Sequence, residues 1–310
     1  MVNFRFHLIS LTAVFLALAI GIAVGATVVD RATVDALQEQ LDRVERGVQA
    51  TDAENTRLGS ELDRWESFAE QSREVAVAGR LADVPVLLVG VAGIEREPVD
   101  ELQQVLAASG AVFQGIVWLT AKFALRRPED VAALGALLGT ELRIADAVRG
   151  AALVRLAGEL AGEVPSPLLV ALHDAAFVEF DPPAGDPNGL AAVPRPGTRF
   201  VVVSATGAEV DDRALAVPLS IQLARSAGSR VLAAEPGREA QAGRPGVRAA
   251  FVGQFRDGGE VASLVSTIDN LEDFRGRFGA VYALRDLGDG KIGHFGVGPG
   301  ATRLVPETAA

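Results

Sequence analysis

VPVLLVGV, from Val84 to Val91, is a continuous apolar run without polar alternation. That pattern marks a strand buried on both faces, and such strands belong to parallel sheets covered by helices. Next along the chain, Glu97 to Ser109 reads as an amphipathic helix through Val99, Leu102, Val105 and Leu106 with Gly110 at its end. The apolar run Ala111 to Leu119 follows and completes a strand, helix and strand unit. A second unit comprises FVVVSA at Phe200 to Ala205, a helix from Asp211 to Ser226 closed by Gly228, and VLAAE at Val231 to Glu235, with Pro218 expected to kink the helix. Between them lie helical segments Pro128 to Leu138 and Ile144 to Ala161, then LLVAL at Leu168 to Leu172, read as a strand. This order predicts an α/β domain over residues 79–298, built on an open and mostly parallel sheet. The Pro- and Gly-dense stretches 181–198 and 235–246 are expected as exposed loops, and residues 299–310 as a flexible tail.

Toward the N-terminus, Asp30 to Ala78 contains no Pro, and residues spaced alternately by three and four form a seam. Val34, Leu37, Leu41, Val44, Val48, Thr51, Asn55, Leu58, Leu62, Trp65, Ala69, Ser72 and Ala76 fit a heptad register with Val34 at a and Leu37 at d. Residues 30–78 are therefore expected as a coiled-coil stalk whose seam, Val34 to Ala76, reaches about 65 Å at 1.5 Å per residue. Asn55 at an a position commonly fixes register and favours two strands. Glu61 at g would face Glu66 at e in a parallel copy, and like charges repel, so two pairings stand open: a parallel homodimer, or a more basic helical partner. Leu41, Asn55, Leu58, Leu62 and Trp65 are the candidate contacts.

LISLTAVFLALAIGIAVGATVV, Leu8 to Val29, is uncharged, and as a helix it spans about 33 Å against a hydrocarbon core of ~30 Å. With Arg5 before it and Asp30 after it, residues 1–7 are expected in the cytoplasm, residues 8–29 across the cell membrane in a single pass, and the remainder outside. A cleaved signal peptide ending before Ala26 is the alternative, and it exports the bulk equally.

Composition narrows the chemistry. Of 310 residues, 29 are Lys or Arg and 40 Asp or Glu, so the net charge of −11 argues against nucleic acid as a partner. The absence of Cys excludes thiolate metal sites and cysteine nucleophiles, and only three His are present. Gly90 and Gly93 follow a strand but lack the GK[ST] of a phosphate loop. His173 beside Asp174, read at a strand end, and His294 in a Gly-rich segment are candidates for a base or metal site, set against ordinary hydrogen-bonded histidines. Asp211 and Asp212 read as a helix cap. Ser266, Thr267, Asp269 and Asn270 are candidates for a recognition site, with Arg275 and Arg277 as ion-pair partners for Asp269. No nucleophile elbow or HExxH motif is present, so no enzyme activity and no resident cofactor is expected.

MVNFRFHLISLTAVFLALAIGIAVGA at the N-terminus, followed at once by the heptad pattern, together with STIDN and GHFGVGPGA near the C-terminus, resembles the actinobacterial MctB family and its corynebacterial SteB branch. The resemblance implies one of two roles. One is copper transport and copper homeostasis, as the family name says. The other is cell separation, acting with a division-associated membrane protein to control a peptidoglycan hydrolase. Copper enters by this resemblance alone: Cu(I) prefers thiolate and thioether ligands, and the only Met is the initiator.

Overall fold

The computed structural model describes residues 4–162, 164–183, 185, 189–228, 230–237, 247 and 249–307. The chain divides into two units, residues 1–67 and 68–310. Residues 4–67 of the first lie within helix α1, Phe4–Val77. Its apolar window is Phe4–Gly25, with a mean hydropathy of 2.5 and none of it buried, so this one helix is long and apolar enough to cross a membrane. The window begins four residues before the expected Leu8 because Phe4 and Phe6 are apolar and Arg5 alone interrupts them. Thr12 donates to the carbonyl of Leu8 at 2.8 Å, which satisfies its hydroxyl within the helix.

The second unit carries β1 (Pro85–Val91), α2 (Glu97–Ala108), β2 (Val112–Leu119), α3 (Pro128–Leu138), α4 (Ala145–Leu160), α5 (Pro167–Asp174) and β3 (Val178–Asp181). It continues with β4 (Arg199–Val203), α6 (Ala216–Ser226), β5 (Val231–Ala234), β6 (Ser266–Ile268), α7 (Phe274–Gly288) and β7 (His294–Phe295). The strands form one sheet in the order β3-β2-β1-β4-β5-β6-β7, with β3 alone antiparallel. Side chains alternate across it. Leu87, Val89 and Val91 pack with residues of α3 to α6, while Val86 and Leu88 pack with residues of α2 and α7. Both faces are covered, which explains the uninterrupted apolar run of β1.

Three expectations change. LLVAL belongs to α5, because Ser166 accepts from the amide of Leu169 as N-cap and Pro167 opens the helix. Pro218 lies in the first turn of α6, where its missing N–H has no intrahelical acceptor to lose, so it is no mid-helix kink. The stretch from Gly298 is not a loose tail through residue 307. The amide of Thr302 donates to the carbonyl of His294 at 2.8 Å, that of Gly296 donates to Arg303 at 2.9 Å, and Pro306 is buried. Residues 308–310 of that tail and 238–246 of the 235–246 loop lie outside the described residues.

Candidate functional site

In open α/β sheets, ligands gather at the carboxyl ends of the strands where the connections change direction, which here is between β1 and β4. A small crevice lies there, lined by Glu95, Ala205, Thr206, Pro236 and Gly237. The loops after β1 and β4 pack against each other beside it. The amide of Glu209 donates to Ala92 at 2.8 Å, and Gly93, at φ +94°, sits so close to Gly207 that a Cβ would lie 2.6 Å from its carbonyl oxygen. Gly90 is glycine because the Trp118 ring occupies the space of a side chain. Trp118 in turn donates to Asp181 at 2.6 Å and carries the Arg96 guanidinium 4.5 Å above its ring. Both glycines that invite a phosphate-loop reading are thus explained by packing.

The polar groups at this edge are engaged in holding loops. Glu235, just beyond β5, accepts the amides of Ala250, Phe251 and Val252 at 2.8–2.9 Å. Asp212, expected to cap a helix, accepts instead from Ser204 beyond β4 at 2.6 Å. Burial raises both carboxyls above their ordinary values, and Asp212 adds to the rise at Glu235. A raised carboxyl contributes stability that is complete below its unfolded value and is lost as pH rises through the folded one. Asp212→Asn keeps an acceptor for Ser204 and removes this loss. Melting followed from below the ordinary Asp value, about pH 3.5, up to about pH 8 should therefore move in the variant's favour, relative to wild type, as pH rises. A difference that does not change with pH would contradict the assignment.

Beyond β6 the polar segment is a lock rather than a surface. Asp269 is fully buried, and its carboxylate holds the equally buried guanidinium of Arg256 and the amides of Val297 and Gly298, at 2.7 and 2.9 Å. Arg256 further donates to Thr267 at 2.8 Å and to the carbonyls of Phe295 and Pro299 at 2.6 and 3.0 Å. A Cβ on Gly296 would collide with the Asp269 carboxylate, and one on Gly298 would come within 2.8 Å of it. STIDN and GHFGVGPG are therefore the two halves of one clasp. Asp269 is corrected from a recognition residue to a structural one because its oxygens are consumed internally. Asn270 is also buried, with neither side-chain amide atom hydrogen-bonded. Arg275 and Arg277 pair with Asp273 and Glu101, not with Asp269. Arg256 has no signal in the sequence, because it stands between the mostly apolar run Phe251 to Phe255 and the turn residues Asp257, Gly258 and Gly259 and reads as an ordinary surface cation.

The two histidines do not meet. His173 ends α5, which packs against β3 at one edge of the sheet, and His294 lies in β7 at the other. Six strand spacings of about 4.8 Å separate those edges, so a shared metal or base pair is ruled out. Among the described residues, no three His, Asp or Glu are grouped to hold a metal ion.

In the first unit the residues of the expected seam are exposed along helix α1. Leu37, Leu41, Val44, Val48, Leu58, Leu62 and Trp65 are each 49–65% exposed, and Asn55 is exposed among them. In that register the acids Glu45, Asp52, Glu54, Glu61 and Glu66 occupy e and g positions, where no Lys or Arg stands between Gln38 and Glu66. Arg43, Arg46, Arg57 and Arg64 fall at c and f, and Arg57 reaches Glu54 and Glu61 of its own helix at 2.7 and 3.0 Å.

Both ends of the chain enter a wider comparison. The family model described as "Copper transport outer membrane protein, MctB" matches residues 1–306. The chain belongs to the MctB family. Relatives named "Copper transporter MctB" from Mycobacterium tuberculosis and Mycobacterium bovis are 26% identical over 323 aligned positions, covering 98% of this chain and 99% of theirs. The one from Mycobacterium leprae is 27% identical over 327 positions, covering 99% and 100%. The MctB match thus takes in the apolar helix, the stalk sequence and the sheet with its clasp.

Proposed function

We propose that the chain is a single-pass cell-envelope protein, with its N-terminus in the cytoplasm and its bulk outside, that acts by protein recognition and not by catalysis. The stalk pairs with a second helix, either its own copy or a more basic one, and the α/β unit is a docking module without a resident cofactor. The exposed apolar seam carries this reading, since a stripe of Leu and Val repeating every three and four residues is what a partner helix buries. By the SteB resemblance, the partners are a division-associated membrane protein and a peptidoglycan hydrolase. The small size of the crevice beside β1 and β4, and the use of the edge carboxylates to hold loops, support recognition over chemistry.

Copper handling is the second reading, favoured by the name the relatives carry. Its difficulty is chemical: there is no Cys, Met1 is the only thioether, and a single apolar helix encloses no pore. The described strands form an open sheet between helices, whereas an outer-membrane barrel closes on itself with a lipid-facing side. Copper tolerance would then depend on envelope integrity, or on Cu(II) held separately at His173 or His294.

Cysteines placed at Leu41 and Leu62 in this Cys-free chain allow crosslinking in membranes. Capture of a second copy or of an envelope protein is expected. Capture of neither, together with tight copper binding by the purified chain that His173→Ala and His294→Ala abolish, would replace recognition by copper handling.

A further inference from the structure

The second unit has a groove where the chain turns from α7 into β7 and then returns along the sheet edge. Its volume is about 940 Å³, within the range of ligand sites, whereas the crevice beside β1 and β4 is small. Gly290, at φ +70°, and the amide of Lys291, which donates to the carbonyl of Asp286 at 3.0 Å, fold the connection back against the end of α7. Ile292, Phe295, Val305 and Pro306 supply the apolar and more deeply set part of the lining. Arg285, Lys291 and Arg303 supply its cations. Arg285 stands in the last turn of α7, where a positive charge complements the helix dipole.

By count the groove is no basic patch. Asp286 pairs with Arg285 at 2.7 Å, Asp289 with Lys291 at 3.2 Å, and Glu307 with Arg303. These pairs orient the cations without exhausting them, because a guanidinium has five N–H donors and an ammonium three. Arg285 bonds through Nε and Nη2, to Asp286 and to the carbonyl of Glu307, and its Nη1 meets no acceptor among the described residues. Arg303 pairs through Nη1 alone, and Lys291 makes a single contact. Three cations thus keep donors in a groove whose acids are already engaged, on a chain whose net charge is −11.

We propose that this groove binds an extended acidic peptide of a partner protein, its carboxylates on Arg285, Lys291 and Arg303 and its apolar side chains against Ile292, Phe295 and Val305. The proposal rests on the reading of the α/β unit as a docking module, and it gives the face that docks and the chemistry of what is docked. A peptide brings apolar side chains and carboxylates at short spacing, and a guanidinium fork matches a carboxylate. An acyl chain would call for an apolar enclosure, whereas here ionic side chains enter from α7, from the connection and from the return alike.

Fluorescence anisotropy of a labelled hexapeptide of alternating Glu and Leu, titrated with the full-length chain in nonionic detergent, tests this. Lys291→Glu with Arg303→Glu, both exposed, should weaken binding about tenfold, and a peptide of alternating Gln and Leu should bind about tenfold more weakly than the acidic one. Arg225→Glu, at an exposed cation outside the groove, should leave binding unchanged. Should the double reversal fail to fold, Lys291→Gln with Arg303→Gln is read in its place. No binding of the acidic peptide up to about 1 mM, equal binding by the double variant, or an equal loss in Arg225→Glu overturns the proposal. Displacement of the peptide by phosphatidylglycerol added to the detergent, where phosphatidylcholine has no effect, would make the groove a lipid site and also overturns it. Stalk crosslinking is a separate readout: capture there without peptide binding removes the groove alone, and peptide binding without capture leaves the groove and counts against pairing through the stalk.

Discussion

Asp269→Ala should lower the stability of the unit spanning residues 68–310 by about 3–5 kcal/mol, the cost of stranding a buried cation. The argument rests on burial. Arg256 is 1% exposed and Asp269 not at all, so removing the carboxylate leaves a guanidinium without its counter-charge and two loop amides without acceptors. Removing the cation as well should recover much of the loss, because an apolar side chain of similar size asks for no partner. Arg256→Met combined with Asp269→Ala is therefore expected to be more stable than Asp269→Ala alone. Trp118 lies in the core, and Trp65 is the only other tryptophan, so urea unfolding in a Trp65→Phe background reports on this unit alone. A loss under about 1 kcal/mol, or a double variant no better than the single, would mean that the clasp is not held by this pair.

How far the sequence reveals the fold depends on segment length. Helix α3 occurs where Pro128 to Leu138 predicts it, and α2 and β2 within a residue of prediction, because each has enough residues to display a period. β6 and β7 have three and two residues, too few to show alternation, and β3 has four. LLVAL misleads for the same reason: five apolar residues fit a strand or a buried helix, and the deciding signal was the preceding Ser166-Pro167, a helix start. The clasp is harder to read, because it joins residues far apart in the chain. Asp269 looks like a turn residue and Gly296 and Gly298 look like free turns until the carboxylate is seen where their side chains would be. The histidines mislead in a further way, since sequence gives residue types and not the sheet order that places them at opposite edges.

This same geometry bears on what the MctB family shares. The string near the C-terminus that carries the resemblance is occupied in folding, and residues 4–25 of the N-terminal string form an apolar helix. Among the described residues neither presents a group of three metal-ligating side chains. On the proposed reading the seam is the recognition surface of the first unit, and its flanking charges make the kind of partner testable by the sign of an effect.

If the proposed pairing holds, Leu58→Asp with Leu62→Asp should abolish capture at the seam, since each places a carboxylate where the pairing would bury an exposed apolar side chain. Glu61→Lys then separates the two pairings. In a parallel homodimer Glu61 faces Glu66 of the other copy, so a Lys turns repulsion into attraction and self-capture should increase. Against a basic partner helix the same change removes an attraction, and capture should fall. The substitution also releases Arg57, which on this helix reaches both Glu54 and Glu61, so Glu61→Gln is the control that removes the acid without adding a base. Exposed pairs of this kind contribute about 0.5 kcal/mol each, so single changes should alter crosslinked yield roughly twofold, and Glu54→Lys with Glu61→Lys by more. Salt gives an independent reading: rising ionic strength should strengthen the acidic homodimer and weaken the mixed pair. Capture that survives both Asp substitutions would place the contact off the seam and remove the basis for recognition through the stalk.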